Sequence, residues 1–240
     1  MLSDLALPQI DIATRPASGR PQSGGTVPSL EARLAVAPVR RVASREHLWC
    51  SGDPRSHVYR VETGAIAIYA VMPDGRRHVV EFALPGDLIG LGMTAAHSFN
   101  AQALQDTRLR SVGIATFNQI VREDPRLGLK LYEELSRELA AARAQLMMVS
   151  KRVSGERVAS FLLALSKRNA DRGEPADILK LPMRRLDIAD FRGLTIETVS
   201  RTFTRLKKDG LVELGPGALV TITDREGLEA MAEGAGECDV

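Results

Sequence analysis

The chain predicts an α+β fold in three parts: an N-terminal β-roll, one long helix, and a C-terminal winged helix-turn-helix. Three observations carry that expectation. Glycines recur at Gly64, Gly75 and Gly86, an 11-residue spacing that suits short strands joined by turns. Apolar residues between Leu131 and Val153 return every three or four positions, the period of a helix. Two short amphipathic segments flank Gly193-Leu194-Thr195 and are crowded with arginine and lysine, the pattern of a helix-turn-helix.

Length and composition set the outer bounds. With 240 residues, 44% hydrophobic and 26% charged, the chain reads as soluble and globular, one large domain or two modest ones. Its 32 basic and 30 acidic residues leave a formal charge of +2, so a nucleic-acid partner requires positive charge to be concentrated locally. The longest apolar run, Ala65 to Met72, is far short of the roughly 20 residues of a membrane helix, and no membrane partner is expected. Cys50 and Cys238 lie 188 positions apart with no secretory signal, which argues against a disulfide framework and for a cytoplasmic location. Residues 1–28, with scattered Pro, Gly and Ser, are expected to be a disordered tail.

Residues 29–122 form the expected roll. Ala65 to Met72 has strand character, Pro73-Asp74-Gly75 is a turn signal, His78 to Leu84 resumes the strand, and Pro85-Gly86-Asp87 closes the unit. Ala101 to Val112 alternates and adds strands on the other side. His47, His57, His78 and His97 have no metal-ligand spacing, so no metal site is expected. Cys50, beside Trp49 near a turn, is either a redox handle or a buried free thiol, the commoner fate.

From Ile114 the period becomes helical, and residues 123–153 are expected to form the long helix. Leu131, Leu135, Leu139, Ala142, Leu146, Val149 and Val153 are separated by 4, 4, 3, 4, 3 and 4, with Glu134, Arg137, Glu138 and Arg143 on the other faces. The stripe can pack on the chain's own roll or pair with a second copy. Its narrowness and length favour the coiled-coil seam and hence a homodimer.

Residues 154–240 supply the third part. Val158, Phe161, Leu162 and Leu165 mark a helix, followed by a polar loop from Asn169 to Asp177. Leu186 to Phe191 ends at Gly193, Thr195 suits the N-cap of Ile196 to Lys208, and Asp209-Gly210 ends that second helix. Leu211 to Thr223, broken at Gly215-Pro216-Gly217, reads as a wing hairpin. Over residues 184–208 seven bases face three acids, a local +4 that leaves the remainder at −2. A solvated charged helix would explain charge alone, but charge coinciding with a helix-turn-helix and a wing favours double-stranded DNA. Glu197, Ser200 and Arg201 stand at i, i+3 and i+4 on one face of the second helix. Arg201 can bond guanine in bidentate fashion, Glu197 can accept from cytosine, and Ser200 can serve either base. Their plainer roles would be a helix-dipole partner for Glu197 and a cap for Ser200. Thr195, Thr198, Arg205 and Lys208 are the expected backbone contacts. Arg184 occupies a position where a small N-cap is expected, and a phosphate contact would compensate.

Leu181-Pro182-Met183, Asp187-Ile188-Ala189-Asp190 and Gly193-Leu194-Thr195-Ile196-Glu197-Thr198-Val199-Ser200-Arg201 resemble the DNA-binding signature of the CRP/FNR transcription regulators. Gly64, Gly75 and Pro85-Gly86-Asp87 resemble that family's cyclic-nucleotide-binding-like jelly roll, and the leucine stripe resembles its dimerisation helix; the likeness spans roughly residues 30–225. Glu197-x-x-Ser200-Arg201 is similar to the FNR and FixK branches. That resemblance implies a homodimeric activator that reads a TTGA-type inverted repeat, recruits RNA polymerase and serves low-oxygen or respiratory genes.

Departures from the family pattern narrow the signal. Two cysteines cannot build a four-thiolate iron–sulfur cluster within one subunit. Between Asp87 and Arg108 only His97 could be cationic, which disfavours a cyclic phosphate. Gly92 stands where a haem-ligating histidine would be expected. The resemblance is therefore to a FixK-like regulator without cofactor, controlled through its amount. The alternative is a family member gated by an unidentified small ligand in the roll. A metal enzyme on a cupin-type barrel would need clustered His and Glu, whereas His78 and Glu81, three apart in a regular strand, would face opposite ways. No phosphate loop or nucleophile elbow appears, and no enzymatic activity is expected.

Overall fold

Turn glycines divide the N-terminal half into short antiparallel strands. In the computed structural model, which describes residues 30–92, 94–148 and 153–234, helix α1 (Leu30–Val36) precedes eight of them. These are β1 (Val39–Val42), β2 (His47–Trp49), β3 (His57–Thr63), β4 (Ile66–Val71), β5 (Arg77–Ala83), β6 (Leu88–Ile89), β7 (Asn100–Ala103) and β8 (Thr107–Gly113). Two sheets, ordered β1-β8-β3-β6 and β2-β7-β4-β5, enclose a core that includes Val42, Val61, Ile66, Ala83, Ile89 and Leu109. Gly64, Gly75 and Gly86 all adopt positive φ, as the spacing predicts for turns. At Gly64 the backbone also comes too close for a side chain: a Cβ there would lie 2.3 Å from Thr107 Oγ1. That buried hydroxyl accepts the Ala65 N–H at 3.1 Å and donates to the Gln105 carbonyl at 2.7 Å.

One irregularity decides what the roll shows to the rest of the chain. Ile68 pairs with Glu81 and Tyr69 with Val79, so Val80 is the extra residue of a β-bulge. The bulge inverts alternation beyond it, and Arg77, Val79 and Phe82 share the face of Ala67 and Tyr69, outside the roll. For the same reason His78 and Glu81 stand on one face, which corrects the expectation from regular spacing. Among the described residues, no three His, Cys, Asp or Glu side chains gather as metal ligands.

Helix α2 (Ile114–Glu123) and α1 cover the β1-β8-β3-β6 sheet through Leu30, Leu34, Val58, Val112, Phe117 and Ile120. Helix α3 (Pro125–Met148) follows, and its stripe is divided. Leu131, expected in a seam between copies, packs with Leu127 against the α1–α2 cluster instead. Leu135 and Leu139 are 54% and 51% exposed, and Leu129 and Tyr132, at 63% and 69%, extend the exposed stripe in a direction the spacing did not reveal. Ala142 and Leu146 belong to α3, but their side chains, and all of Val149, lie outside the described residues, as do residues 1–28. Val153 does not continue the helix; its extended backbone, φ −65° and ψ 159°, makes it the N-cap of α4 (Ser154–Asp171). Among the described residues, no helix is long and apolar enough to cross a membrane.

The remaining elements are β9 (Ile178–Lys180), α5 (Arg185–Arg192), α6 (Ile196–Lys208), β10 (Val212–Leu214), β11 (Leu219–Ile222) and α7 (Arg225–Glu233). The hairpin gains β9 as a third strand, in the order β10-β11-β9. Val158, Phe161, Leu162 and Leu165 turn inward from α4 as their spacing predicts. A single core joins them to Ile188 of α5 and Phe203 of α6, and also to Ala67, Tyr69 and Phe82 of the roll. Phe82, Phe161 and Phe191 form an aromatic trio across this junction, with centroids 5.0 to 6.2 Å apart. Arg168 of α4 and Arg172, the residue that caps its C-terminus, add an ion cluster on Asp87, the Arg172 contact at 2.9 Å.

Candidate nucleic-acid interface

The site is built on a turn that only glycine adopts readily. Gly193 ends α5 in the left-handed region at φ 65°, and its successor Leu194 donates to the Ala189 carbonyl at 3.0 Å. Thr195 then caps α6, its hydroxyl accepting the Thr198 N–H at 3.2 Å and meeting the Thr198 hydroxyl at 3.0 Å. Both threonine hydroxyls, expected as DNA-backbone contacts, are thus engaged in the cap.

Helix α6 has two distinct faces. Val199, Thr202, Phe203 and Leu206 are buried against the core. Glu197, Ser200, Arg201, Thr204, Arg205 and Lys208 are exposed, and all but Glu197 border a shallow concavity along the helix. The predicted trio Glu197, Ser200 and Arg201 therefore does share one open face. Ser200 donates its hydroxyl proton to the Ile196 carbonyl at 2.8 Å, which leaves its lone pairs free to accept from a base. Arg205 lies 3.5 Å from Asp209, an acid that borders the same concavity just beyond residues 184–208. The wing from β10 to β11 carries Glu213 and no lysine or arginine.

At the start of α5 two adjacent arginines differ. Arg184 Nε lies 3.3 Å from Asp187, and Asp187 also accepts the Arg184 backbone N–H at 2.9 Å. An arginine cannot accept a bond at an N-cap, so Asp187 secures this helix start from inside. Arg185 instead lays its guanidinium over the Phe203 ring, 3.2 Å from the centroid, and burial draws its pKa down to about 10. Arg185 adds to the positive charge of residues 184–208, but its stacking partner is 18 residues away and leaves no local signal in the sequence.

Asp187 is only 1% exposed. Burial pushes its carboxyl upward, but hydrogen bonds from Arg77 and Arg184 outweigh that and hold its pKa below the ordinary value. Asp190 is shifted the other way, raised by burial and by the neighbouring Asp187 charge against the pull of Arg77.

The roll holds two features relevant to ligands. His97 stacks on Trp49 with ring centres 4.1 Å apart, and burial, aided by Arg55, lowers its pKa. Although residues 88–107 contain no Arg or Lys, Arg55 reaches that segment from elsewhere: its Nε donates to the Thr94 carbonyl at 2.8 Å. Cys50 is exposed, which corrects the expectation of a buried thiol. With two cysteines in the chain, no four-thiolate cluster fits one subunit.

Two family models match the chain: a Crp-like helix-turn-helix domain over residues 156–231 and a cyclic nucleotide-binding domain over residues 39–124. The nitrogen fixation regulation protein FixK of Bradyrhizobium diazoefficiens is 38% identical over 195 residues, covering 80% of this chain and 82% of the relative. The transcriptional activator protein FnrA of Stutzerimonas stutzeri is 37% identical over 198 residues, 82% of this chain and 81% of the relative. The solved structure of FixK2 from Bradyrhizobium japonicum superposes with a TM-score of 0.75 at 32% identity, covering 82% of this chain and 97% of that one.

Proposed function

Because the chain belongs to the CRP/FNR family of transcription regulators, in its FixK-like branch, we propose that it acts as a homodimer on a TTGA-type inverted repeat. The observation that carries this reading is the open α6 face bearing Glu197, Ser200 and Arg201. Two such helices related by a dyad would enter major grooves about 34 Å apart, one turn of the duplex. The exposed stripe Leu129, Tyr132, Leu135 and Leu139 of α3 supports pairing with a second copy. In this reading residues 29–122 are the roll, helix α3 within 123–153 is the dimerisation element and 154–240 are the DNA-binding domain. Thr195, Thr198, Arg184, Arg205 and Lys208 address the phosphates. Bound in the cytoplasm at promoters of low-oxygen or respiratory genes, the dimer recruits RNA polymerase, and its own amount sets the response.

Titration of aerobically purified, cofactor-free protein at fixed salt against a TTGAT-N4-ATCAA duplex and a scrambled control tests this. Selective, tight binding is expected; equal binding to both duplexes overturns it.

A second reading has one observation in its favour. Arg55 Nη1 is buried with no hydrogen-bond partner among the described residues, and such a group suits a small anion in the roll. A gated regulator would bind the duplex weakly until a ligand such as a cyclic nucleotide was added, and would show a thermal shift with it.

A further inference from the structure

Arg77 opens β5 in the roll, and its Nη1 reaches 110 residues along the chain to Asp187 at 2.7 Å and 113 residues to Asp190 at 3.4 Å. Both acids belong to α5, the first helix of the helix-turn-helix. The guanidinium also sits over the Tyr69 ring, 4.4 Å from its centroid. Its Nε and Nη2 are buried without a hydrogen-bond partner among the described residues. Withdrawing a guanidinium from water in this way is costly, and the two carboxylates are what compensate it. The cation is therefore committed to one orientation.

Helix α5 in turn supports α6. Ile188 and Ala189 are buried in the same core as Val199, Phe203 and Leu206, and Arg185 stacks on Phe203. A displacement of α5 relative to the roll must therefore carry the recognition helix with it. We propose that Arg77 is a positioning residue for DNA recognition, which fixes α5 on the roll and, through α5, sets the placement of Glu197, Ser200 and Arg201. The inference rests on the reading that the chain recognises DNA without an effector, and it names what holds the reading helix in place when no ligand does so. The aromatic trio and the Asp87 cluster still join the two halves when Arg77 is gone, so its loss loosens the orientation and leaves the fold.

The test is Arg77→Met in the full-length protein, titrated against the TTGAT-N4-ATCAA duplex and the scrambled control at several salt concentrations. The specific affinity is expected to fall about ten-fold while the scrambled affinity and the salt slope stay within about two-fold of wild type. Arg77→Lys, which keeps the charge, recovers part of the specific affinity. Should Arg77→Met lower the melting temperature through its unpaired acids, Arg77→Met/Asp190→Asn removes one buried charge and is expected to show the same selective loss. Unchanged or increased specific affinity in Arg77→Met overturns the positioning role. Parallel loss on both duplexes overturns it too, since that is the signature of general unfolding. A wild-type protein that fails to prefer the site overturns the parent reading instead.

Discussion

The Arg185 guanidinium lies over the Phe203 ring, 3.2 Å from its centroid, and this contact adds to the apolar core that joins the two helices of the DNA-reading motif. Arg185→Ala is expected to lower stability by about 1–2 kcal/mol, through loss of the cation–π contact and of the packing of its stem. Urea unfolding followed by far-UV circular dichroism measures it. Arg185→Lys should fall between the two, because an ammonium cannot stack as a planar guanidinium does.

Base readers and phosphate contacts separate by how they fail. Arg201→Ala should cost about 1–3 kcal/mol per half-site and relax preference at one base pair. Arg205→Ala should weaken specific and scrambled DNA alike and lower the salt slope by about one. Asp209→Asn should strengthen both, since it removes the carboxylate 3.5 Å from Arg205. Competition titrations over a set of single-base variants distinguish these outcomes.

The exposed apolar stripe on α3 is where the proposed pairing can be tested. Leu135→Asp combined with Leu139→Asp should convert the proposed dimer to monomer in sedimentation velocity while near-UV circular dichroism is retained, because both side chains are half exposed in the single chain. Leu131→Ala should act differently, lowering the melting temperature, since that side chain packs on the α1–α2 cluster.

His97 gives the roll a pH dependence of definite sign. Its folded pKa lies below the ordinary value of 6.5, lowered by burial and Arg55 against the pull of Asp53. Between the folded pKa and 6.5 the unfolded chain binds the extra proton, so stability is full above 6.5 and declines as pH falls through that window. His97→Gln should flatten this part of the profile. Trp49, the chain's single tryptophan, reports the titration directly, because a charged imidazole stacked 4.1 Å away will quench it.

Gly64→Ala should be among the most damaging small changes in the roll. It combines φ 91° with a contact of 2.3 Å to a buried hydroxyl and 2.8 Å to the Asp106 carbonyl. A loss of at least about 1–3 kcal/mol in thermal unfolding is the expected result.

Local chemistry was legible in the sequence wherever one residue's own geometry decided the outcome. The three spaced glycines are all turns, Thr195 does cap α6, and the helical spacing of Glu197, Ser200 and Arg201 does leave all three exposed. What sequence could not supply were partners. Periodicity finds the helix from Leu131 to Leu146 but overruns it at Val153, and it cannot say that Leu131 meets the chain's own roll. Helices α1 and α7, of 7 and 9 residues, were too short to raise a periodic signal above their surroundings. Arg55 and Arg77 act on segments 39 and 110 residues away, and a rule applied to spacing in a strand failed at His78 and Glu81 because Val80 bulges.

That bulge has a consequence for how the family's architecture can be rewired. Deleting Val80 would make the pairing one-to-one while leaving Glu81 opposite Ile68 and Val79 opposite Tyr69, so Arg77 and Phe82 would keep the face they now share. The roll would keep its own backbone pairing, and the aromatic trio and the Arg77 ion pairs would keep their residues in place. A single-codon deletion at this point of the edge strand is thus absorbed, because the bulge holds one residue in reserve and the strand can shorten without redesign of either surface.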